Sequence, residues 1–181
     1  MLLINIPETE LFDESTDRFI TIKAQTLKLE HSLISISKWE SRWNKPFLKE
    51  DKKTPEQIRD YIRCMSLVPL QDDNVVLALS SKNIEKIMNY IEAPMTATTV
   101  SFFDDKKPKK KEIMTSELIY YYMIQAQIPF ECEKWHINRL FALLKVCAAK
   151  SSEKQKTNTP SAAKSQAALN AARRSKLKSR G

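Results

Sequence analysis

Glycine is almost missing from this chain of 181 residues: there is one, Gly181, and it is the last residue. Gly-x-Gly-x-x-Gly loops, P-loops and nucleophile elbows require positive φ or a close backbone approach to phosphate, so none can be built here. That removes the usual nucleotide-binding enzymes and most serine hydrolases and moves the expectation toward an interaction protein without catalytic activity. No apolar run reaches the roughly 18 residues that would mark a membrane span. The opening "MLLINIPETELFDE" lacks a basic segment and its apolar run is short for a signal peptide, so secretion is not expected. Three cysteines (Cys64, Cys132 and Cys147) cannot all pair within one chain, which fits a reducing cytoplasm.

What is present divides by charge. Residues 150–181 hold nine Lys or Arg against Glu153 alone, which accounts for the whole net charge of +8. Residues 1–149 balance at 21 basic and 21 acidic groups, so they read as a single neutral domain followed by a basic tail rich in Ala, Lys and Arg. Within the tail, 151–159 reads as polar linker, and Thr159–Pro160 opens "SAAKSQAALNAARRSKLK", a segment of high helix propensity that is marginal in isolation. The tail is expected to be disordered or helical on binding. Nucleic-acid binding through it is disfavoured, because it contains no aromatic residue on which a base could stack.

Periodicity predicts an α+β chain that is predominantly helical. "LLINI" reads as a short strand, followed by an acidic connector carrying Glu8, Glu10, Asp13, Glu14 and Asp17. "FITIKAQTLKLEHSLISI" alternates with period two and changes phase near Gln25, which predicts one or two half-buried strands, with His31 at the edge of the core. Ser37 and Glu40 have capping-box spacing, and Trp39 and Trp43, four apart, share a face of the short helix that Pro46 stops. Two readings of the tryptophans stay open, an anchor to the core and a binding hot spot.

Thr54, Pro55 and Gln57 supply the clearest helix start, with Ile58, Tyr61, Ile62 and Met65 as its buried stripe and Cys64 as a small hydrophobe beside it. Ser81 opens a further helix with Ile84, Ile87, Met88 and Ile91 on one face and Pro94 as its stop. "MTATTVSFF" favours a strand, and the five lysines around Pro108 an exposed loop. Thr115 or Ser116 caps "ELIYYYMIQAQI", whose three consecutive tyrosines sweep about 200°. A helix with so little polar face is either wrapped by its own fold or covered by a partner.

"IPFECEKWHINRLF", residues 128–141, contains the residue types of an active site. On a single helical wheel over 131–149, His136 falls in the stripe of Ile137, Leu140, Leu143, Leu144 and Cys147, with Cys132 one turn earlier and Asn138 pointing away. A Cys–His nucleophile would need an orienting group and an oxyanion hole, and zinc about four ligands. The expectation is a packed helix, with no catalytic residue, cofactor or metal.

"EHSLISISKWESRWNKPF", "TPEQIRDYIRCM", "MTSELIYYYMIQAQIPFECEKWHINRLFALLKVC" and "AALNAARRSKLKSRG" together resemble a family of tailed-bacteriophage morphogenesis proteins, tail assembly chaperones, in the same order from about Leu29 to Gly181. The resemblance implies a binding protein of the host cytoplasm that coats the tape measure protein and recruits tail-tube subunits. Such proteins are typically helical, lack cofactors and are often made in a short and a frameshift-extended form. The β segment and the basic tail depart from that pattern and keep open a structural virion component, such as a connector or tail-completion protein. The expected partner-binding residues are Trp39, Trp43, Tyr120, Tyr121, Tyr122 and Trp135, together with Arg173, Arg174, Lys176, Lys178 and Arg180 of the tail. Self-association is a further expectation, with the tail meeting the acidic stretch Glu8–Asp17 of another copy.

Overall fold

The computed structural model describes residues 1–13, 17–70, 72–98, 113–157, 168–170 and 172–173. The fold is α+β and predominantly helical, with the strands at the N-terminus. Two compact units are present, Met1–Ala142 and Leu143–Gly181. Their boundary lies ahead of the charge boundary at residue 150.

β1 (Leu2–Ile6) pairs antiparallel with β4 (Gln25–Leu29), from Leu2 opposite Leu29 to Ile6 opposite Gln25. Period-two alternation turns Ile4, Ile6, Leu27 and Leu29 into the core and Asn5, Thr26 and Lys28 to water. The Thr26 hydroxyl donates to Asn5 Oδ1 across the outer face, at 2.8 Å. The other edge of β4 is occupied as well: Glu30 N–H donates to Met65 O and Leu67 N–H to Lys28 O, both at 2.9 Å.

Within the expected acidic connector, Thr9–Asp13 is instead a strand, and Glu14 lies outside the described residues. β2 (Thr9–Asp13) pairs with β3 (Arg18–Ile22) as a hairpin in which Phe12 stands opposite Phe19. Leu11, Ile20 and Ile22 face inward, and the acidic side chain of Glu10 lies on the water side, where a strand tolerates charge. The expected phase change near Gln25 is the break between β3 and β4.

α1 (Leu33–Trp43) begins four residues before the expected Ser37–Glu40 box. Ser32 is the cap: its hydroxyl accepts from Ser35 N–H, and Ser32 N–H donates to Ser35 Oγ at 2.9 Å. A serine thus does the work usually given to Glu or Gln at the third helical position. Glu40 turns inward instead and accepts from the N–H groups of Phe47 (2.7 Å) and Ser116 (2.8 Å). The helix ends on Asn44 at φ 52°, with Pro46 beyond it.

α2 (Pro55–Cys64) has the expected Thr54–Gln57 box, and Tyr61, Ile62 and Met65 are buried. Asp73–Ala78 is a 3₁₀ segment that buries Val75 and Val76. α3 (Ser81–Glu92) departs from its expected stripe: Ile87 and Tyr90 are buried, while Ile84 and Met88 are exposed. Residues 95–98 are not a strand, and the rest of that expected strand, with the lysine loop, lies outside the described residues. α4 (Ser116–Gln125) is capped by Thr115, and α5 runs Ile137–Thr157. Leu29, Leu33, Ile36, Trp39, Met65, Ile119, Met123 and Leu140 form the centre of the first unit's core.

Candidate functional site: an exposed apolar face beside a closed polar cluster

The segment 128–141 does not form one helix. Gln127 turns at φ 54°, Pro129 leads into a 3₁₀ segment over Phe130–Lys134, Trp135 is extended, and α5 starts only at Ile137. His136 therefore precedes the helix rather than lying in its stripe, and it makes a bridge to Ser32. Its Nε2–H donates to the Tyr90 carbonyl at 2.9 Å, and its Nδ1 accepts from Asn138 N–H at 3.3 Å. The ring thus caps α5 in the manner of a side-chain acceptor. Asn138, expected to point away, reaches the ring through its backbone, and its amide donates to the carbonyls of Ile91 (3.3 Å) and Ala93 (2.8 Å) at the end of α3.

A second buried imidazole faces the first. The rings of His31 and His136 meet edge-on with centroids 5.1 Å apart, and His31 Nδ1 is hydrogen-bonded to the Tyr61 hydroxyl. Tyr61 also meets Ser35 Oγ at 3.3 Å, and Ile137 N–H donates to His31 O at 2.7 Å. Burial, with a smaller contribution from the His136 charge, pulls the His31 pKa from 6.5 down to about 3. Burial also lowers that of His136. Both rings are neutral at pH 7. Tyr90 donates to Glu30 Oε1 at 2.6 Å, and the Met1 amine lies 2.7 Å from Glu30 Oε2. Burial first, and the Glu30 contact second, raise the Tyr90 pKa. Among the described residues every buried side-chain nitrogen and oxygen has a partner, and no group of three or more His, Cys, Asp or Glu is placed to hold a metal. Chemically the cluster is a closed brace between β4, α1, α2, α3 and the start of α5.

The tyrosine triplet is divided by depth. Ile119 and Met123 carry α4 into the core, while Tyr121 is 53% and Ile124 58% exposed. Tyr120 is half-buried: it donates to Glu133 Oε2 at 2.8 Å and packs on Phe130 with centroids 6.3 Å apart. Phe130 itself is 54% exposed. Tyr122 meets Tyr121 edge-on at 5.6 Å. Tyr121 and Ile124 are three apart and Tyr120 and Ile124 four apart, so with Phe130 they form a continuous apolar face. Trp135, half-buried, carries the Arg139 guanidinium over its ring at 4.1 Å.

The tryptophans of α1 belong elsewhere. Trp39 is 1% exposed, donates to Gln57 O at 3.0 Å and has no surface to offer a partner. It is a core anchor, a correction to its place among the binding candidates. Trp43 stacks on it and donates to Asp60 Oδ2 at 2.9 Å. Of the tail candidates, Arg173 is exposed, and Arg174, Lys176, Lys178 and Arg180 lie outside the described residues. Ile124 and Phe130 were missed as surface residues, although Ile124 stands one helical turn from Tyr121. No family model matches the chain, and neither a curated protein nor a solved structure is detectably similar to it. No described helix is long and apolar enough to cross a membrane.

Proposed function

We propose that the chain is a phage tail morphogenesis protein that acts by binding rather than catalysis: a tail assembly chaperone for the tape measure protein, working in the host cytoplasm. The motif resemblance supplies the family. The observation that carries the binding role is the exposed face of Tyr121, Ile124 and Phe130. Large apolar side chains held in water by a helix that docks through Ile119 and Met123 are what an amphipathic partner helix would cover. Half-buried Tyr120, fixed by Glu133, gives that face a rigid floor.

Co-expression with the tape measure protein of the same phage tests the reading. The wild-type chain should raise that protein's soluble fraction, and a Tyr121→Ser/Ile124→Ser/Phe130→Ser variant should not. No gain with the wild type sinks the chaperone. Abundant chain in purified particles would favour a structural virion component instead.

A further inference from the structure

The β2–β3 hairpin shows an apolar pair to water. Phe12 is 50% and Phe19 70% exposed, their centroids lie 5.1 Å apart, and Glu10 and Thr21 share their face of the hairpin. A lone two-stranded hairpin is marginal in water, and an outward aromatic pair adds exposed apolar surface to it. Elsewhere on the same unit is a groove of about 460 Å³ between α1, α2 and the segment that follows α2. Lys38, Arg42 and Arg63 line it against Asp60 and Asp73, leaving one positive charge in excess. Arg42 is held by Asp60 at 2.6 Å, and Arg63 Nε donates to Asp73 O at 3.2 Å. The rim is apolar: Leu67 is 54% and Val68 52% exposed.

We infer that this groove receives the β2–β3 hairpin of a second copy of the chain. The two surfaces are complementary in kind. The hairpin offers two phenyl rings beside a carboxylate, and the groove offers fixed guanidinium groups, a lysine and an apolar rim. Phe12 and Phe19 lie on Leu67 and Val68 and over the guanidinium planes, where cation–π attraction is available, and Glu10 meets Lys38. A cavity of about 150 Å³ holds one benzene ring, so two rings need about 300 Å³, and the groove has room for both. Hairpin and groove both border the 3₁₀ segment Asp73–Ala78, since β3 packs on it and Asp73 lines the groove. Adjacent donor and acceptor surfaces can exchange reciprocally, each copy giving its hairpin to the other in a closed two-fold pair. This contact is separate from the α4 face and stands or falls without it.

Sedimentation of the purified full chain over a range of concentrations tests the inference. The expected mass at high concentration is twice the chain's 21.0 kDa. Phe12→Ser/Phe19→Ser on the hairpin, and Lys38→Glu/Leu67→Ser on the groove, should each weaken the pair about 30-fold or more, with unchanged circular dichroism. Mixing the two variants should restore a pair, because one intact hairpin then faces one intact groove. A chain that stays single at every concentration overturns the inference. So does self-association that survives both variants, or variants that do not rescue each other on mixing.

Discussion

The β1–β4 and β2–β3 pairs are both antiparallel and both made of five-residue strands, yet one is part of the core and the other stands at the surface. In β1–β4 the outward positions are mostly polar, with Asn5 bonded to Thr26, and the second edge of β4 is filled by Ser66 and its neighbours. In β2–β3 the outward positions include Phe12 and Phe19, and of Thr9, Leu11, Ile20 and Ile22 on the inner face only Ile22 is fully buried. The same local pattern therefore serves two ends. Alternation makes a strand, but what packs on each face decides whether that strand supports the fold or presents a surface.

The comparison is broken most strongly at Leu29, which is 0% exposed. Leu29→Ala should cost about 2–5 kcal/mol by chemical denaturation, from lost burial and the cavity left behind. Acid comes next. The native chain keeps His31 neutral down to about pH 3, while the unfolded chain takes up its proton near 6.5. Stability is thus full above pH 6.5 and falls as pH drops from 6.5 to 3, by about 1.4 kcal/mol per pH unit for this group. The lowered pKa of His136 acts in the same direction. Denaturation midpoints measured against pH should show that slope, and it should be reduced in His31→Gln.

Glu40→Ala should cost about 1–3 kcal/mol for each buried N–H it orphans, at Phe47 and Ser116. An equal midpoint for wild type and variant would remove Glu40 as a tie between α1 and α4. The smallest effect belongs to the hairpin. Phe19→Ser should cost only about 0.2–1 kcal/mol, the worth of one cross-strand pair, in the isolated chain. A loss as large as that of Leu29→Ala would mean the hairpin is core after all.

Much of the fold could be read from local chemistry. Thr54, Pro55 and Gln57 act within four residues of one another, and α2 begins where they place it. The misreadings have physical causes. Ser35 completes the α1 cap in a position where Glu or Gln is the usual signal, while Ser37 and Glu40 imitate a capping box one turn later. Glu10 disguised the alternation of β2, since a strand with one wet face accepts an acid there. Pro129 interrupts the helical phase before α5, which removed His136 from the stripe drawn for it. The role of Glu40 depends on Ser116, 76 residues away, and no local pattern announces such a bond. The tyrosines of α4 were readable as candidates, but which of them face water was not, because that depends on Ile119 and Met123 docking first.

Calorimetric titration of the full chain with a purified helical segment of the tape measure protein tests the central claim most directly. Saturable binding by the wild type is predicted, weakened about 30-fold or more in Tyr121→Ser/Ile124→Ser/Phe130→Ser with its melting temperature retained. No binding by the wild type, or equal affinity in the variant, would contradict the account.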